Sequence, residues 1–229
     1  MSEKVRNMFA DIAEDYDRVN SILSMGIHHI WRNQTVLESG ARPGDAVLDC
    51  ATGTGDLAIS FKKAVGDDGY VLGTDFCKEM IEFAPEKAKD NDLHVDFEVA
   101  DAMNLPYEDD RFDIASIAFG IRNVDDPVQA IKEMSRVVRS SGKVVVLEFG
   151  QPEGLLKYPY QLYSKHIMPA VGGWLSGNRE AYTYLPETSA AFPAGDAFLA
   201  LMRKTGSFSQ VRAEKQTGGI AYIYVGTVK

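Results

Sequence analysis

The chain has 229 residues, of which 45% are hydrophobic and 25% are charged, a mixture typical of globular proteins. Its 24 basic and 33 acidic residues give a net charge of −9, which argues against a nucleic-acid partner because that binding needs a basic surface. The two cysteines, Cys50 and Cys77, form no C-x-x-C pair, so we expect no disulfide, no metal site and a cytoplasmic location. The sequence shows neither a secretory leader pattern nor the run of about 18 to 20 apolar residues that a membrane span requires.

The first 45 residues predict a helical cap that precedes the main body of the chain. Apolar residues at helical spacing form one face there: Val5, Met8, Phe9, Ile12 and Tyr16. A second helix is expected through residues 28–37, and it should end at Gly40.

Between residues 46 and 149, short apolar runs alternate with helical patterns. The strand-like runs are residues 46–51, 70–75, 94–101, 112–120 and 143–149. The helical patterns cover residues 56–65, then 78–89 with a kink at Pro85, and finally a stretch from Asp126-Pro127 up to Gly142. This alternation predicts a doubly wound α/β sheet with its functional loops at the carboxyl ends of the strands.

Residues 150–194 break the alternation and contain five of the ten tyrosines. So long a connection predicts an inserted lid, for which a dimer interface or ordinary helix packing is the alternative interpretation. Residues 195–206 resume the helical pattern, and two strand patterns joined at Gly218-Gly219 predict a terminal antiparallel hairpin. We therefore expect residues 1–229 to form one domain, with the ligand-binding core in residues 46–149 and the last helix and hairpin in residues 195–229.

The strongest local signal is the glycine loop in the segment DCATGTGDLA, residues 49–58. Gly53 and Gly55 follow a predicted strand and open a helix, so the backbone can approach a ligand closely. Asp75 lies 20 residues after Gly55, at the end of the second strand. That spacing places a carboxylate where it accepts hydrogen bonds from the hydroxyls of a ribose.

The charge of the loop favours one of two nucleoside ligands. If Ala58 is taken as the third small residue, the loop also matches the G-x-G-x-x-A pattern of dinucleotide-binding proteins. An NAD-dependent dehydrogenase is therefore the main alternative. Asp56 follows Gly55 directly and Asp49 ends the first strand, and two carboxylates would repel a pyrophosphate. S-adenosylmethionine carries no phosphate and has two cationic groups, so the loop predicts a methyltransferase.

Two further strand ends suit an adenosyl ligand. Asp101 and Ala102 end the third strand, where a carboxylate and a backbone N–H can meet adenine, although Asp101 could equally cap a turn. Ala118, Phe119 and Gly120 end the fourth strand, beside the expected methyl group. These features alone predict a class I methyltransferase of unspecified substrate.

Three longer segments resemble the UbiE/MenG family of quinone C-methyltransferases. The segment YDRVNSILSMGIHHIW, residues 16–31, is similar to the family's N-terminal signature, with Val19 in place of the usual Met. The segment RVVRSSGKVVVLEFG, residues 136–150, is similar to its second signature, although Ser140-Ser141 replaces Pro-Gly. FGIRNVDDP, residues 119–127, resembles the stretch that follows the fourth strand in the family.

The resemblance implies a class I methyltransferase fold with a seven-stranded sheet and S-adenosylmethionine as cofactor. The positions that match family cofactor contacts are Thr54, Asp75, Asp101, Ala102, Gly53 and Gly55. Ala118 departs from the family's common serine, so only the backbone could contact the cofactor there.

The resemblance also implies a reaction: methylation of a ring carbon of a prenylated quinol, with demethylmenaquinol giving menaquinol. A methoxy-polyprenyl-benzoquinol of ubiquinone synthesis is the alternative substrate. The catalytic candidates within the family signatures are Tyr16, His28, Arg122 and Asn123. Arg122 would stabilise a phenolate unless Asp125 or Asp126 pairs with it, His28 would act as a base unless it is buried beside Trp31, and Tyr16 would close over the cofactor. Transient contact with a membrane surface and a homodimer are further expectations.

Overall fold

A computed structural model of the chain, which describes residues 3–229, contains one seven-stranded sheet in the order β3-β2-β1-β4-β5-β7-β6. The strands are β1 (Ala46–Cys50), β2 (Tyr70–Asp75), β3 (Asp96–Val99), β4 (Phe112–Ala118), β5 (Val138–Phe149), β6 (Phe208–Gln216) and β7 (Ala221–Val228). Strands β1 to β5 pair in parallel, whereas β7 runs antiparallel to both β5 and β6. The doubly wound sheet and the terminal hairpin are therefore confirmed, and the strand order reverses between β1 and β4, where ligands bind in such sheets.

Eleven α-helices surround the sheet in residues 3–229. They are α1 (Glu3–Ile12), α2 (Tyr16–Leu23), α3 (Ile27–Ser39), α4 (Asp56–Val65), α5 (Lys78–Ile81), α6 (Ala84–Asp90), α7 (Pro127–Arg136), α8 (Lys157–Leu162), α9 (Met168–Ser176), α10 (Arg179–Ala191) and α11 (Asp196–Lys204). Short 3-10 turns occupy Ile121–Asn123, Gly154–Leu156 and Thr217–Gly219, and a π-helical turn at Tyr163–Ile167 joins α8 to α9.

The core lies on both faces of the sheet. Helices α7 and α11 cover one face, where Ile131, Met134 and Phe198 are fully buried against the strands. Helices α3 and α4 cover the other, where Trp31 and Phe61 pack on the same sheet. The central strands are hydrophobic because both their faces are covered, as in other parallel sheets.

The prediction that the helix after Pro127 continues to Gly142 is wrong. Helix α7 ends at Arg136, and Val138 already pairs with Phe112 as the first residue of β5. The β-branched Val138 favours extended backbone, and a register shift between the two strands accommodates the extra residues before Lys143. The expected break near Pro85 is confirmed, because α5 ends at Ile81 and Pro85 lies in the first turn of α6.

Helices α8 to α10 form the insertion in residues 150–194, and they pack on the N-terminal helices in a second small core. Val19 and Leu23 of α2 contact Met168, Ala181 and Tyr182 of the insertion. Cap and insertion thus bury each other's apolar residues, and together they form a roof over the carboxyl edge of the sheet. Among the described residues, no helix has the length and hydropathy needed to cross a bilayer.

Candidate active site

Two adjoining cavities lie between the sheet and this roof. The smaller, here the loop cavity, is lined by the ends of β1, β2 and β4 and includes Gly53, Asp75 and Asp101. The larger, here the lid cavity, has a volume of about 310 Å³ and lies among α1 to α3, the insertion and the ends of β4 and β5. Phe9, Tyr16 and Phe119 line both cavities, so the two share a wall.

The glycine loop bends tightly at the end of β1. Gly53 and Gly55 have φ angles of 57° and 87°, a region that favours glycine. A Cβ on Gly55 would lie only 3.0 Å from the Cβ of Ala84 and 3.1 Å from the ring of Phe97. Gly55 thus packs α4 against the neighbouring elements, whereas Gly53 faces the loop cavity. Ala51 and Phe119 also have positive φ angles, of 49° and 55°, so strained backbone borders the cavity at both strand ends.

Asp75 lines the loop cavity at the end of β2. Its Oδ2 accepts a hydrogen bond from the Gly53 N–H at 2.9 Å, and its Oδ1 accepts one from the Cys77 N–H at 2.8 Å. Burial raises the pKa of Asp75, although these backbone donors oppose the rise. The carboxylate also lines the cavity, where it can accept a hydrogen bond from a ribose hydroxyl.

Asp101 and Ala102 lie in the same cavity after β3. The Asp101 Oδ1 accepts a hydrogen bond from the Met103 N–H at 2.9 Å, so this residue caps a turn. Its side chain still borders the cavity, and the two interpretations of Asp101 are therefore compatible. Ala118 lines the cavity as well. A nucleoside-shaped site with acids at the ends of β2 and β3 fits the adenosyl part of the expected cofactor.

Thr54 faces the roof, outside the residues that line the two cavities. Its hydroxyl donates to the Asp17 Oδ1 at 2.7 Å and accepts from the Lys87 Nζ at 2.9 Å. Lys87 also pairs with Asp17 and Asp56. These contacts join α2, the glycine loop and α6, so Thr54 anchors the cap to the loop, and a direct cofactor contact stays a prediction.

The electrostatic argument from Asp49 and Asp56 is wrong in its physical premise. Asp56 forms ion pairs at 2.7 Å with Arg32 and with Lys87; burial disfavours its charge, but these cations outweigh burial and lower its pKa. Asp49 is 1% exposed, and it accepts hydrogen bonds at 2.7 Å from the hydroxyls of Thr52 and Ser116. Burial raises the pKa of Asp49 to about 6. The charge of Asp56 is thus neutralised by its cations, and neither acid is among the residues that line the two cavities.

The walls of the lid cavity are mainly apolar and aromatic. The rings of Phe119 and Phe149 lie 4.4 Å apart, and Trp31 packs on both at just over 6 Å. The insertion contributes four of its five tyrosines: Tyr160, Tyr163, Tyr182 and Tyr184. Such a cavity suits an apolar ring that carries a hydrocarbon chain.

A few polar groups interrupt these walls without a hydrogen-bonding partner. In residues 3–229, four buried side-chain polar atoms make no hydrogen bond, and three of them belong to residues that line the lid cavity. These three are Arg32 Nη1, Arg122 Nε and Tyr182 Oη. Arg32 Nη1 is nevertheless ion-paired with Asp56 at 2.7 Å, and Tyr182 interacts with Ser176. Of the three, therefore, only Arg122 Nε is left without a polar partner.

Arg122 is held in place by a residue that the sequence did not single out. Its Nη1 donates to the Glu148 Oε1 at 2.8 Å and to the Phe119 carbonyl at 2.6 Å, and its guanidinium lies 5.3 Å from the centre of the Phe149 ring. Asp126 instead caps α7 by accepting from the N–H groups of Val128 and Gln129. Glu148 was recognisable only as an acid inside a very apolar strand pattern, which is a signal of a buried charge with a partner.

The other catalytic candidates surround the shared wall. Tyr16 lines both cavities, and burial raises the pKa of its hydroxyl. Asn123 borders the loop cavity, and its Oδ1 accepts a hydrogen bond at 3.0 Å from Tyr184, a residue of the lid cavity. Tyr16, Arg122 and Asn123 therefore lie at the junction of the two cavities.

His28 lines the lid cavity and is 6% exposed. Its Nδ1 shares a hydrogen bond with the Ser24 hydroxyl. Burial, reinforced by the nearby positive charge of Arg32, lowers the pKa of His28 to about 4. The imidazole is thus neutral near pH 7 and is a weaker base than an exposed histidine.

Comparisons with known proteins agree with this architecture. The model of the ubiE/COQ5 methyltransferase family matches residues 1–228. A Bdellovibrio bacteriovorus protein named ubiquinone/menaquinone biosynthesis C-methyltransferase UbiE is 57% identical over 99% of this chain and 97% of its own length. A Deinococcus radiodurans demethylmenaquinone methyltransferase is 42% identical over 98% of this chain and 92% of its own length.

Solved structures show the same fold. A Thermotoga maritima S-adenosylmethionine-dependent methyltransferase, described as a possible histamine N-methyltransferase, has a TM-score of 0.68 and 22% identity, and the match covers 97% of this chain and 99% of that one. The dehydrogenase alternative is set aside by the match to the family model. The chain belongs to the ubiE/COQ5 methyltransferase family and is an S-adenosylmethionine-dependent methyltransferase with the class I fold.

Proposed function

We propose that the protein methylates a ring carbon of a prenylated quinol, converting demethylmenaquinol to menaquinol. The observation that carries this proposal is the shared wall of the two cavities. The aromatic, largely apolar lid cavity would hold the ring and the start of its tail, and it meets the loop cavity at Phe9, Tyr16 and Phe119. A ring held there faces the methyl group across a short distance.

S-adenosylmethionine supplies an electrophilic methyl group when it is bound. In the loop cavity, Asp75 would accept from the ribose hydroxyls, while Asp101 and the backbone of Ala102 would contact adenine. Gly53 lets the backbone approach the ligand, and Gly55 and Thr54 fix the loop that carries it. This division of roles follows from which of the six residues face the cavity.

The chemistry requires the reduced ring, because an ionised quinol places electron density on the adjacent ring carbon. The new carbon–carbon bond forms as the sulfur–methyl bond breaks, and the ring proton then leaves. Arg122 would stabilise the phenolate by donating a hydrogen bond from its guanidinium group, which the ion pair with Glu148 orients. Glu148 and the Phe119 carbonyl hold this guanidinium in position.

The remaining candidates would assist by position. Tyr16 separates the two cavities and would close over the reacting methyl group. Asn123 would orient Tyr184, which it already contacts, toward the ring. His28 is neutral near pH 7 because its pKa is lowered to about 4, so it would accept a hydrogen bond from the quinol more readily than it would store a proton.

The second candidate substrate is a methoxy-polyprenyl-benzoquinol. Relatives from Bdellovibrio bacteriovorus and Teredinibacter turnerae, 57% and 39% identical to this chain, bear names that cover both ubiquinone and menaquinone biosynthesis. A benzoquinol is a smaller ring with the same two oxygens, so the lid cavity would also admit it.

Methyl transfer to defined rings tests the proposal. The enzyme would be incubated under anaerobic conditions with labelled S-adenosylmethionine and either reduced demethylmenaquinone or the reduced benzoquinone, and the methylated ring identified by mass spectrometry. We expect menaquinol as the main product and no product from the oxidised quinones. Arg122→Met should lose most of the turnover, whereas Arg203→Met, at an exposed position of α11, should retain it. If neither quinol is labelled, the proposal is overturned.

A further inference from the structure

Helix α3 brings a second arginine to the lid cavity. His28, Trp31 and Arg32 are spaced i, i+3 and i+4, so they share one face of the helix, and all three line the cavity. Arg32 is 9% exposed, which is rare for an arginine unless its charge is engaged.

The ion pair of Arg32 leaves part of its hydrogen-bonding capacity unused. Its Nη1 lies 2.7 Å from the Asp56 Oδ2, so the ion pair engages this one nitrogen of the guanidinium group. Asp56 is shared with Lys87, which approaches its other oxygen at 2.7 Å. Within residues 3–229 the other guanidinium N–H groups of Arg32 make no hydrogen bond, and Arg32 lines the cavity, so they are available to a ligand that supplies an acceptor.

Arg32 and Arg122 border one cavity from different elements. Arg32 comes from α3, whereas Arg122 comes from the turn after β4 and lies against Phe149. The ring of Trp31, the residue before Arg32, packs on Phe149 at 6.3 Å, so aromatic side chains connect the two arginines. Both guanidinium groups also act on the Tyr16 hydroxyl, where their charges oppose the effect of burial on its pKa.

We propose that Arg32 binds the second ring oxygen of the substrate, the one para to the oxygen at Arg122. This inference rests on the proposed function, since it assumes that a quinol ring occupies the lid cavity. A ring with oxygens at both ends supplies one acceptor to each arginine. A ring with a single oxygen leaves one buried guanidinium unsatisfied, and Arg32 therefore selects quinols over monophenols.

A comparison of two ring probes tests this role without turnover. The probes are 1,4-naphthalenediol and 1-naphthol, titrated calorimetrically under anaerobic, reducing conditions into wild type and into Arg32→Met. Wild type should bind the diol about ten-fold more tightly, as expected for one hydrogen bond to a charged donor. In Arg32→Met the two affinities should converge to within about three-fold, because the diol loses its extra contact.

Two further variants complete the design. Arg212→Met removes a partly buried ion pair between β6 and Glu38, at the carboxyl end of α3, and should keep the wild-type preference. Arg32→Lys retains a positive charge beside Asp56 and replaces the Met variant if that variant does not fold. Lysine has a single ammonium group in place of the guanidinium fork, so the preference for the diol over 1-naphthol should still fall at least about three-fold.

The outcomes separate this inference from the proposed function. Equal binding of both probes by wild type, or an unchanged preference in a folded Arg32 variant, would overturn the role of Arg32. If the enzyme nevertheless methylates demethylmenaquinol, the proposed function stands and only the Arg32 assignment fails. Loss of preference in the variant together with a wild type that methylates neither quinol would instead refute the proposed substrate.

Discussion

At the scale of single residues, Asp75 gives the sharpest test of the loop cavity. Asp75→Ala should weaken S-adenosylmethionine binding about ten-fold or more, because the ribose loses a charged acceptor and the Gly53 N–H loses its partner. Isothermal titration measures the affinity directly. Asp109→Ala, a surface acid that pairs with Arg136, is the matched control. An affinity within two-fold of wild type in Asp75→Ala would remove Asp75 from the site.

His28 should make stability depend on pH in the acid range. Its pKa is about 4 in the folded protein against an ordinary value of 6.5, so between these values the unfolded chain binds more protons. Stability from this group is therefore complete above about pH 6.5 and is lost as the pH falls toward 4, with about 2 kcal/mol lost by pH 5.

Urea unfolding at pH 7.5 and pH 5 measures this contribution. His28→Gln should show a smaller loss of unfolding free energy between the two pH values than wild type. His94→Gln replaces a histidine whose side chain is 90% exposed, and it should behave as wild type does. Equal losses in His28→Gln and wild type would show that His28 is not buried in its neutral form.

At the scale of elements, helix α8 contrasts two tyrosines only two residues apart. Tyr160 lines the lid cavity, and burial raises its pKa to about 12, whereas Tyr158 on the same helix is 74% exposed. Tyr160→Ala should raise the KM for the quinol about ten-fold, since it removes buried contact area, and should leave S-adenosylmethionine affinity unchanged. Tyr158→Ala should alter neither value. Steady-state kinetics that show equal effects of both variants would contradict the lid interpretation.

Point variants are preferable to shortening the insertion, because the insertion also covers the N-terminal helices. Met168, Ala181 and Tyr182 bury the apolar face of the N-terminal helices, so a deletion would expose that face to water. The sequence predicted the insertion and the N-terminal cap as separate pieces. The hydrophobic patterns of the two segments did not predict that they pack on each other. Such a pattern shows that a helix has an apolar face, but it does not show which element covers that face.

At the scale of the whole molecule, the alternation of strand and helix patterns was enough to predict the sheet. Strands of a parallel sheet are buried on both faces, so they appear in the sequence as continuous apolar runs. Asp75 and Gly53 were found because their spacing along the chain is fixed by strand and helix lengths. Arg32, Glu148, Lys87 and Asp17 were missed because their partners lie far away in sequence. The acid Asp56 illustrates the same limit: its charge was correctly identified, but the cations that neutralise it come from α3 and α6.

The outer surface of the insertion carries exposed apolar side chains that could bind a membrane surface. Leu155, Tyr158 and Trp174 are 92%, 74% and 83% exposed, and Leu156 and Pro159 beside them line the lid cavity. We propose that these side chains contact the bilayer that holds the substrate, at the inner face of the membrane. With a net charge of −9, the protein gains little from anionic lipids, so apolar insertion should dominate.

Co-sedimentation with phosphatidylcholine vesicles tests this contact. The double variant Leu155→Asp, Trp174→Asp should lower the bound fraction several-fold, because each buried apolar side chain contributes about 2 kcal/mol or less and a charge adds a penalty. Wild-type binding should persist at high salt, since screening weakens charge attraction but not apolar insertion. Leu37→Asp introduces the same charge at a position of α3 that is 72% exposed and should leave binding unchanged. Binding that falls equally in the control, or that salt abolishes, would show that the insertion does not dock the protein on the bilayer.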